Sequence, residues 1–197
     1  MTAPEWTIRQ ATVGELERLV DLRLAMFHAV GLLDEENRKR TREDCRAYFE
    51  ATLPSEEFRV WVACALDADE PGIKRGTSSD EIGTCSGEPA ASTGLADCVG
   101  AGAAGELIAS IGLVVHSVPP SPFNRAGREG YIMNLVTLPP WRRRGIGRAL
   151  LSHVIAVLRA EGVPIASLHA AGDGRKLYEE LGFVLKDDLP EMRLRLG

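Results

Sequence analysis

Tyr131 to Arg148 reads YIMNLVTLPPWRRRGIGR: an apolar run, two prolines, then Arg142-x-x-Gly145-x-Gly147 opening onto a helical pattern. The first N–H groups of a helix have no intrahelical partner and carry the positive end of its dipole, so a strand that turns through glycines into a helix predicts an anion site. Gly145 and Gly147 have no Cβ to hold an anion off, and Arg142, Arg143, Arg144 and Arg148 add positive charge around the same turn. Two common phosphate loops are excluded by the residues present. A P-loop needs Gly-Lys-Ser/Thr, whereas Arg148 and Ala149 follow Gly147; a dinucleotide fold needs a third glycine where Leu150 stands.

What remains is an Arg/Gln-x-x-Gly-x-Gly/Ala pattern, and with it the chain resembles the GNAT superfamily of acyl-CoA-dependent N-acyltransferases. A second stretch, Leu177-Tyr178-Glu179-Glu180-Leu181-Gly182-Phe183, resembles that family's short tyrosine-bearing helix ending at Gly-Phe before a strand. About thirty residues separate Gly147 from Tyr178, room for one helix, one strand and a loop that bring both ends to one cleft.

Working outward, Trp6–Ala11 alternates as a strand, and a helix beginning at Thr12 or Gly14 carries Leu16, Leu19, Val20, Arg23, Leu24 and Phe27 at helical spacing. A polar turn over Gly31 to Asn37 precedes a second helix, Thr41 to Leu53, stopped by Pro54. Phe58–Leu66 and Leu107–Val118 read as buried strands. Residues 67–106 between them are rich in Gly, Ala, Ser and Thr without periodicity and are expected to form a flexible insertion in an expanded hairpin turn, which costs little because closure entropy grows only logarithmically with length. After the strand Tyr131–Leu138, Ile146, Leu150, Leu151, Val154 and Leu158 form the apolar stripe of a helix ended by Gly162. Pro164–His169, Gly174–Leu181, Phe183–Leu185 and Met192–Leu196 complete the order βααβββαβαββ. The expected fold is α/β, of mixed α+β type: residues 1–197 as a single GNAT-like domain, with a central mixed, mostly antiparallel sheet of about seven strands and helices on both faces.

The apolar fraction of 45% suits an ordinary soluble protein, and the formal charge of −5 argues against nucleic-acid binding while favouring cationic substrates. The N-terminus shows no basic region leading into an apolar run, and no segment is apolar enough to span a membrane, so a cytoplasmic location is expected. Cys45, Cys64, Cys85 and Cys98 form no CxxC pair; they predict neither a metal site nor a disulfide framework, with a Cys85–Cys98 bridge the minor alternative.

The resemblance implies acetyl-CoA as acyl donor and an amine as acceptor, with direct attack of the amine on the thioester and pairing of subunits into a homodimer. It assigns the pyrophosphate to backbone N–H groups from Arg143 through Arg144, Gly145, Ile146 and Gly147 to Arg148, with Arg142 at the family's Arg/Gln position. It assigns the pantetheine arm to backbone groups of Leu135, Val136 and Thr137, where the fourth strand splays from the fifth, with a nearby N–H stabilising the oxyanion. Tyr178 matches the general acid. The chain departs from the common Asn-x-x-Ala-x-x-x-Tyr pattern, since Ala171 and Gly174 stand at the Asn and Ala positions, beside Asp173 as a plausible N-cap. Glu129, Tyr131, His116 and Asn134 lie on or near the central strands, and the base stays open among Glu129, Tyr131, His116 and His169, since Asn134 cannot act as one. His28 and Asp34-Glu35-Glu36 fall where the family walls its acceptor site, and the carboxylates either attract an amine or form a solvated face. The acceptor is read as a small primary amine, with a protein or peptide amine, or acyl-CoA binding without transfer, as alternatives.

Overall fold

The computed structural model describes residues 5–55, 57–66, 105–170, 174–186 and 194. Among the described residues, five strands form one sheet in sequential order: β1 (Trp6–Gln10), β2 (Phe58–Ala65), β3 (Leu107–Ser117), β4 (Arg128–Thr137) and β5 (Ile165–Leu168). The first four pair antiparallel and β5 joins β4 in parallel. A parallel pair needs a long crossover, and helix α3 (Ile146–Ala160) supplies it. Helices α1 (Leu16–Ala29) and α2 (Glu35–Thr52) lie between β1 and β2 in sequence, and α4 (Arg175–Glu180) follows β5.

Covering the sheet on both sides explains why β2 and β3 are almost continuously apolar. On one side, Leu19, Val20, Leu22 and Leu24 of α1 and Phe49 of α2 pack with Val60, Val62 and Cys64. On the other, Ile146, Leu150, Leu151, Val154 and Leu158 of α3 pack with Trp61, Ala63, Ile111, Leu113 and Ile132. Arg9 on β1 grips Glu15 with both guanidinium arms, at 2.8 and 2.6 Å, and Glu15 also accepts from the Thr12 N–H, fixing the chain's entry into α1. These bonds, the Arg9 fork first, hold the Glu15 carboxyl down to about 2. No helix among the described residues is long and apolar enough to cross a membrane.

The structure corrects the sequence reading in two places. Helix α2 starts at Glu35, six residues before the expected Thr41, because Asp34 accepts from the Asn37 N–H at 2.9 Å while the Asn37 side chain accepts from the Asp34 N–H at 3.0 Å. That reciprocal cap starts the helix within the residues read as a turn. Among the described residues the sheet has five strands, and Phe183–Leu185 is not one of them. Gly182 takes a positive φ of 92° and the Phe183 N–H turns back to the Tyr178 carbonyl at 3.0 Å, closing the helix and leaving Val184 exposed. Most of the insertion (67–104), with Cys85 and Cys98, lies outside the described residues, as do Ala171, Asp173 and, apart from Leu194, the expected strand Met192–Leu196.

Leu113 is fully buried between β3 and α3. Leu113→Ala is expected to cost about 2–5 kcal/mol, seen as a lower urea midpoint at unchanged slope. A second expectation concerns acid. Glu15 has a folded pKa of about 2, below its usual value of 4.5, so its contribution is complete above that usual value and is lost as pH falls towards 2. Equilibrium unfolding across this window should show a decline that Glu15→Gln largely removes, at the expense of lower stability at neutral pH.

Candidate functional site

The ladder between β4 and β5 runs from Glu129↔Ile165 to Ile132↔Leu168 and stops there, while β4 continues along β3 to Thr137. At the same point the β3–β4 register shifts between Ser110 and Gly112, and Asn134 takes a left-handed φ of 56°. An extra residue in one strand makes a bulge that bends the strand, and asparagine tolerates the left-handed region better than most side chains. The Leu138 N–H donates to the Ile108 carbonyl at 2.9 Å. Because successive residues turn their backbone groups to alternate sides, Val136 also faces β3, whereas Thr137 faces the edge that β5 has left. The Arg142 Nε, donating to the Thr137 carbonyl at 3.1 Å, reaches that edge.

Past β4 a tight turn over Pro139–Trp141 leads into residues of positive φ, Arg143 at 64° and Gly145 at 81°, and α3 begins at Ile146. Such alternation directs backbone N–H groups into a concavity. Ala149 is the first residue to donate within the helix, to Gly145 at 3.0 Å, so the N–H groups of Ile146, Gly147 and Arg148 precede the intrahelical ladder. The two glycines differ in kind. Gly145 is required by its backbone, whereas a Cβ on Gly147 would meet only Leu177 Cδ2 and Thr137 Oγ1, both at 3.8 Å. Neither backbone nor packing requires a glycine at 147, where a methyl group would fit in ordinary contact.

The arginines contribute less free charge than their number implies. Arg144 pairs with Glu5 at 2.7 Å and lies over the Trp141 ring, Arg148 pairs with Glu180, and Arg142 is folded onto Thr137. Arg143 makes no ion pair among the described residues.

Leu177 against Gly147, and Glu180 against Arg148, set α4 beside the head of α3. The Tyr178 ring rests on the Gly174 backbone: a Cβ there would stand 2.8 Å from Cε2 and 3.0 Å from the hydroxyl. Glycine at this departure from the family pattern therefore makes room for the ring. Phe183 meets Tyr178 edge-on at 6.1 Å, burial pushes the phenol's pKa up, and the hydroxyl has no hydrogen-bond partner among the described residues. The stretches 135–137, 142–148 and 177–180, separate in sequence, thus converge.

Of the residues considered as bases, His116 and Glu129 approach each other at 3.9 Å near the far end of the β3–β4 ladder. A polar cavity of about 300 Å3 at that end is lined by Arg59, Val115, His116, Ser117, Arg128 and Glu161, and is remote from the bulge. His28 is exposed at the end of α1, and the carboxylates of residues 34–36 cap and open α2. Tyr131 and His169 come together, Oη to Nδ1 at 2.6 Å with the rings edge-on. Sequence considered these two separately; the register Tyr131↔Ser167 is what joins them. The sequence reading sets Asn134 aside as a base; it does not foresee that Asn134 forms the bulge or that Arg23 donates to its side chain from α1.

Residues 38–183, a span that holds both signature stretches, match the acetyltransferase (GNAT) family model. The chain belongs to the GNAT acetyltransferase family. Acetyl-CoA is the acyl donor of this family. Among solved structures, the chain is similar to a GCN5-related N-acetyltransferase from Ralstonia eutropha, with 24% identity, a TM-score of 0.67 and coverage of 95% of this chain and 98% of that one. It is similar also to a predicted acetyltransferase from Clostridium acetobutylicum, solved with acetyl-CoA, at 21% identity and a TM-score of 0.67, covering 95% and 96%. A ribosomal-protein-alanine N-acetyltransferase from Brucella melitensis shares 16% identity at a TM-score of 0.58, covering 98% and 99%. At these identities the likeness is one of fold. Comparison with curated proteins gave no match.

The two glycines should separate in stability measurements. Gly145→Ala forces a side chain into a left-handed position and is expected to cost about 1–2 kcal/mol in chemical unfolding. Gly147→Ala sits in a helix without a clash and should leave stability unchanged or raise it by up to about 1 kcal/mol.

Proposed function

We propose that this protein transfers the acetyl group of acetyl-CoA directly to the primary amine of a small molecule, with Tyr178 as general acid. The observation that carries the reading is the convergence of an unpaired strand edge, an open helix head and a half-buried phenol at one place. Acetyl-CoA supplies the activated acyl group as a thioester; the chain's part is to bind, orient and move protons.

The anion of the cofactor is assigned to the N–H groups from Arg143 to Arg148, helped by Arg142 at the turn. Glycine at 147, which neither backbone nor packing requires, is consistent with a phosphate coming close to the helix head. Arg143 supplies the charge that Arg144 and Arg148 have already given to Glu5 and Glu180. The pantetheine arm is assigned to the open edge of β4 at Leu135, Val136 and Thr137. Since the backbone of Val136 is turned to β3, its neighbours on the open side are the ones to pair with amides and to stabilise the oxyanion, the type of contact whose loss costs about 3 kcal/mol in the barrier.

Attack of the amine on the carbonyl forms the C–N bond and breaks the C–S bond. Tyr178 gives its proton to the sulfur; a phenol is protonated at neutral pH, and burial raises its pKa further. The proton lost by the ammonium is assigned to the Tyr131–His169 pair, which already shares a hydrogen bond. Residues 1–197 are read as one cytoplasmic acetyltransferase domain carrying an insertion at 67–106.

Thiol release across a panel of amines tests the reading. Tyr178→Phe should lower kcat by about tenfold or more while acetyl-CoA binds unchanged. Gly147→Ala should instead weaken acetyl-CoA binding without loss of stability. Binding of acetyl-CoA with no turnover on any amine would overturn transfer in favour of a binding module, and preference for peptides over every free amine would move the acceptor to protein.

A further inference from the structure

On the side of the sheet covered by α1 and α2, acetyl transfer as described leaves Asn134 of the bulge and Arg23 of α1 without a task. Met133 packs on this side and Ile132 on the other, so alternation places Tyr131 on the α1 side, together with His169, which it contacts. Arg23 reaches the same side from α1. It donates to Asn134 Oδ1, and its guanidinium carbon lies 4.7 Å from the centre of the Phe27 ring.

Arg23 is half buried, and among the described residues it meets no carboxylate. Arg9, Arg42, Arg59 and Arg148 each have an acidic partner. A guanidinium offers five N–H donors in a planar fork suited to carboxylate, and the bond to Asn134 uses one of them. Phe27 and Asn134 hold the group from two directions, as a preorganised fork requires. Three residues of strand span at most about 10 Å, so the contact at Asn134 and the Tyr131–His169 pair lie within the reach of one small molecule.

We infer that the acceptor carries a carboxylate beside its amine, as an α-amino acid does, and that Arg23 is the specificity-determining residue that holds it. The inference rests on the acetyl-transfer reading and names the acceptor class for it. A single guanidinium balances a single carboxylate, whereas a phosphate monoester brings a charge of about −1.5 to −2. Phe27 provides an apolar wall for the acceptor's carbon skeleton. The assignment departs from the cationic acceptor suggested by the overall negative charge, because a local cation next to the reacting centre outweighs a dispersed and screened surface charge.

The test measures thiol release from acetyl-CoA with matched pairs, α-amino acids against their carboxamides, and an aminoalkyl phosphate as a third arm. The acids are expected to exceed their carboxamides by about tenfold or more in kcat/KM, mainly through KM, since a charge-assisted bond acts on binding. Arg23→Gln should bring the acids down to the level of the carboxamides with acetyl-CoA binding unchanged, and Arg23→Lys, which keeps the charge and loses the fork, should recover part of the preference. Should Arg23→Gln fail to fold, the matched pairs on the native protein decide by themselves. Carboxamides or the phosphate turned over as well as the acids, or a preference that survives Arg23→Gln, would overturn the assignment. No thiol release with any amine would bring down acetyl transfer itself, whereas transfer blind to the carboxylate brings down only the acceptor class.

Discussion

Between Ile132 and Thr137, β4 keeps its ladder to β3 and gives up its ladder to β5, and the arrangement of the candidate site follows from that divergence. Backbone amides and carbonyls are obligatory hydrogen-bonding groups, so an edge opened within a sheet must be met by solvent, a side chain or a ligand. Arg142 meets part of it at the Thr137 carbonyl. The bulge at Asn134 bends the strand where its partner departs, and the chain then needs only one short turn to reach the head of α3. A strand edge and a helix head, the two backbone features most ready to bind without specialised side chains, are thereby placed end to end.

Electrostatics around this junction is more local than a count of arginines implies. Three of the four side chains from Arg142 to Arg148 are taken up by Thr137, Glu5 and Glu180, and in doing so they fasten the turn to β4, to the N-terminal segment and to α4. Their first contribution is mechanical: they hold a loop containing two residues of positive φ in one conformation. On the proposed reading, the attraction for an anion falls to oriented N–H groups and to Arg143. Dipoles fixed in place need no reorganisation when a charge arrives.

The legible parts of the sequence were those in which one segment determines its own state. The apolar runs of β2 and β3 and the helical stripe of α3 read directly, as did the glycine turn, since each depends on local pattern. The start of α2 did not, because EENRKR is polar on every side and only the reciprocal cap between Asp34 and Asn37 turns it helical. The strand expected at Phe183 failed because the Gly182–Phe183 step is spent on closing a helix. At the site the missing information was long-range. Asn134 is irregular because β4 holds one more residue than β3 across the bulge, Arg23 finds its partner 111 residues away, and Tyr131 meets His169 across 38. No window of sequence holds both members of such pairs.

Helix α4 is six residues long and has no fully buried side chain. A helix so short does not persist alone, since nucleation costs more than its few bonds return. Its order is borrowed from Leu177 and Tyr178 lying on the α3 side of the sheet, from the closure at Phe183 and from the Arg148–Glu180 pair. The phenol therefore sits on a segment whose order depends on its neighbours. Packing and local melting are bound together there: whatever steadies the head of α3 also steadies the phenol proposed as proton donor, and whatever releases that head loosens it.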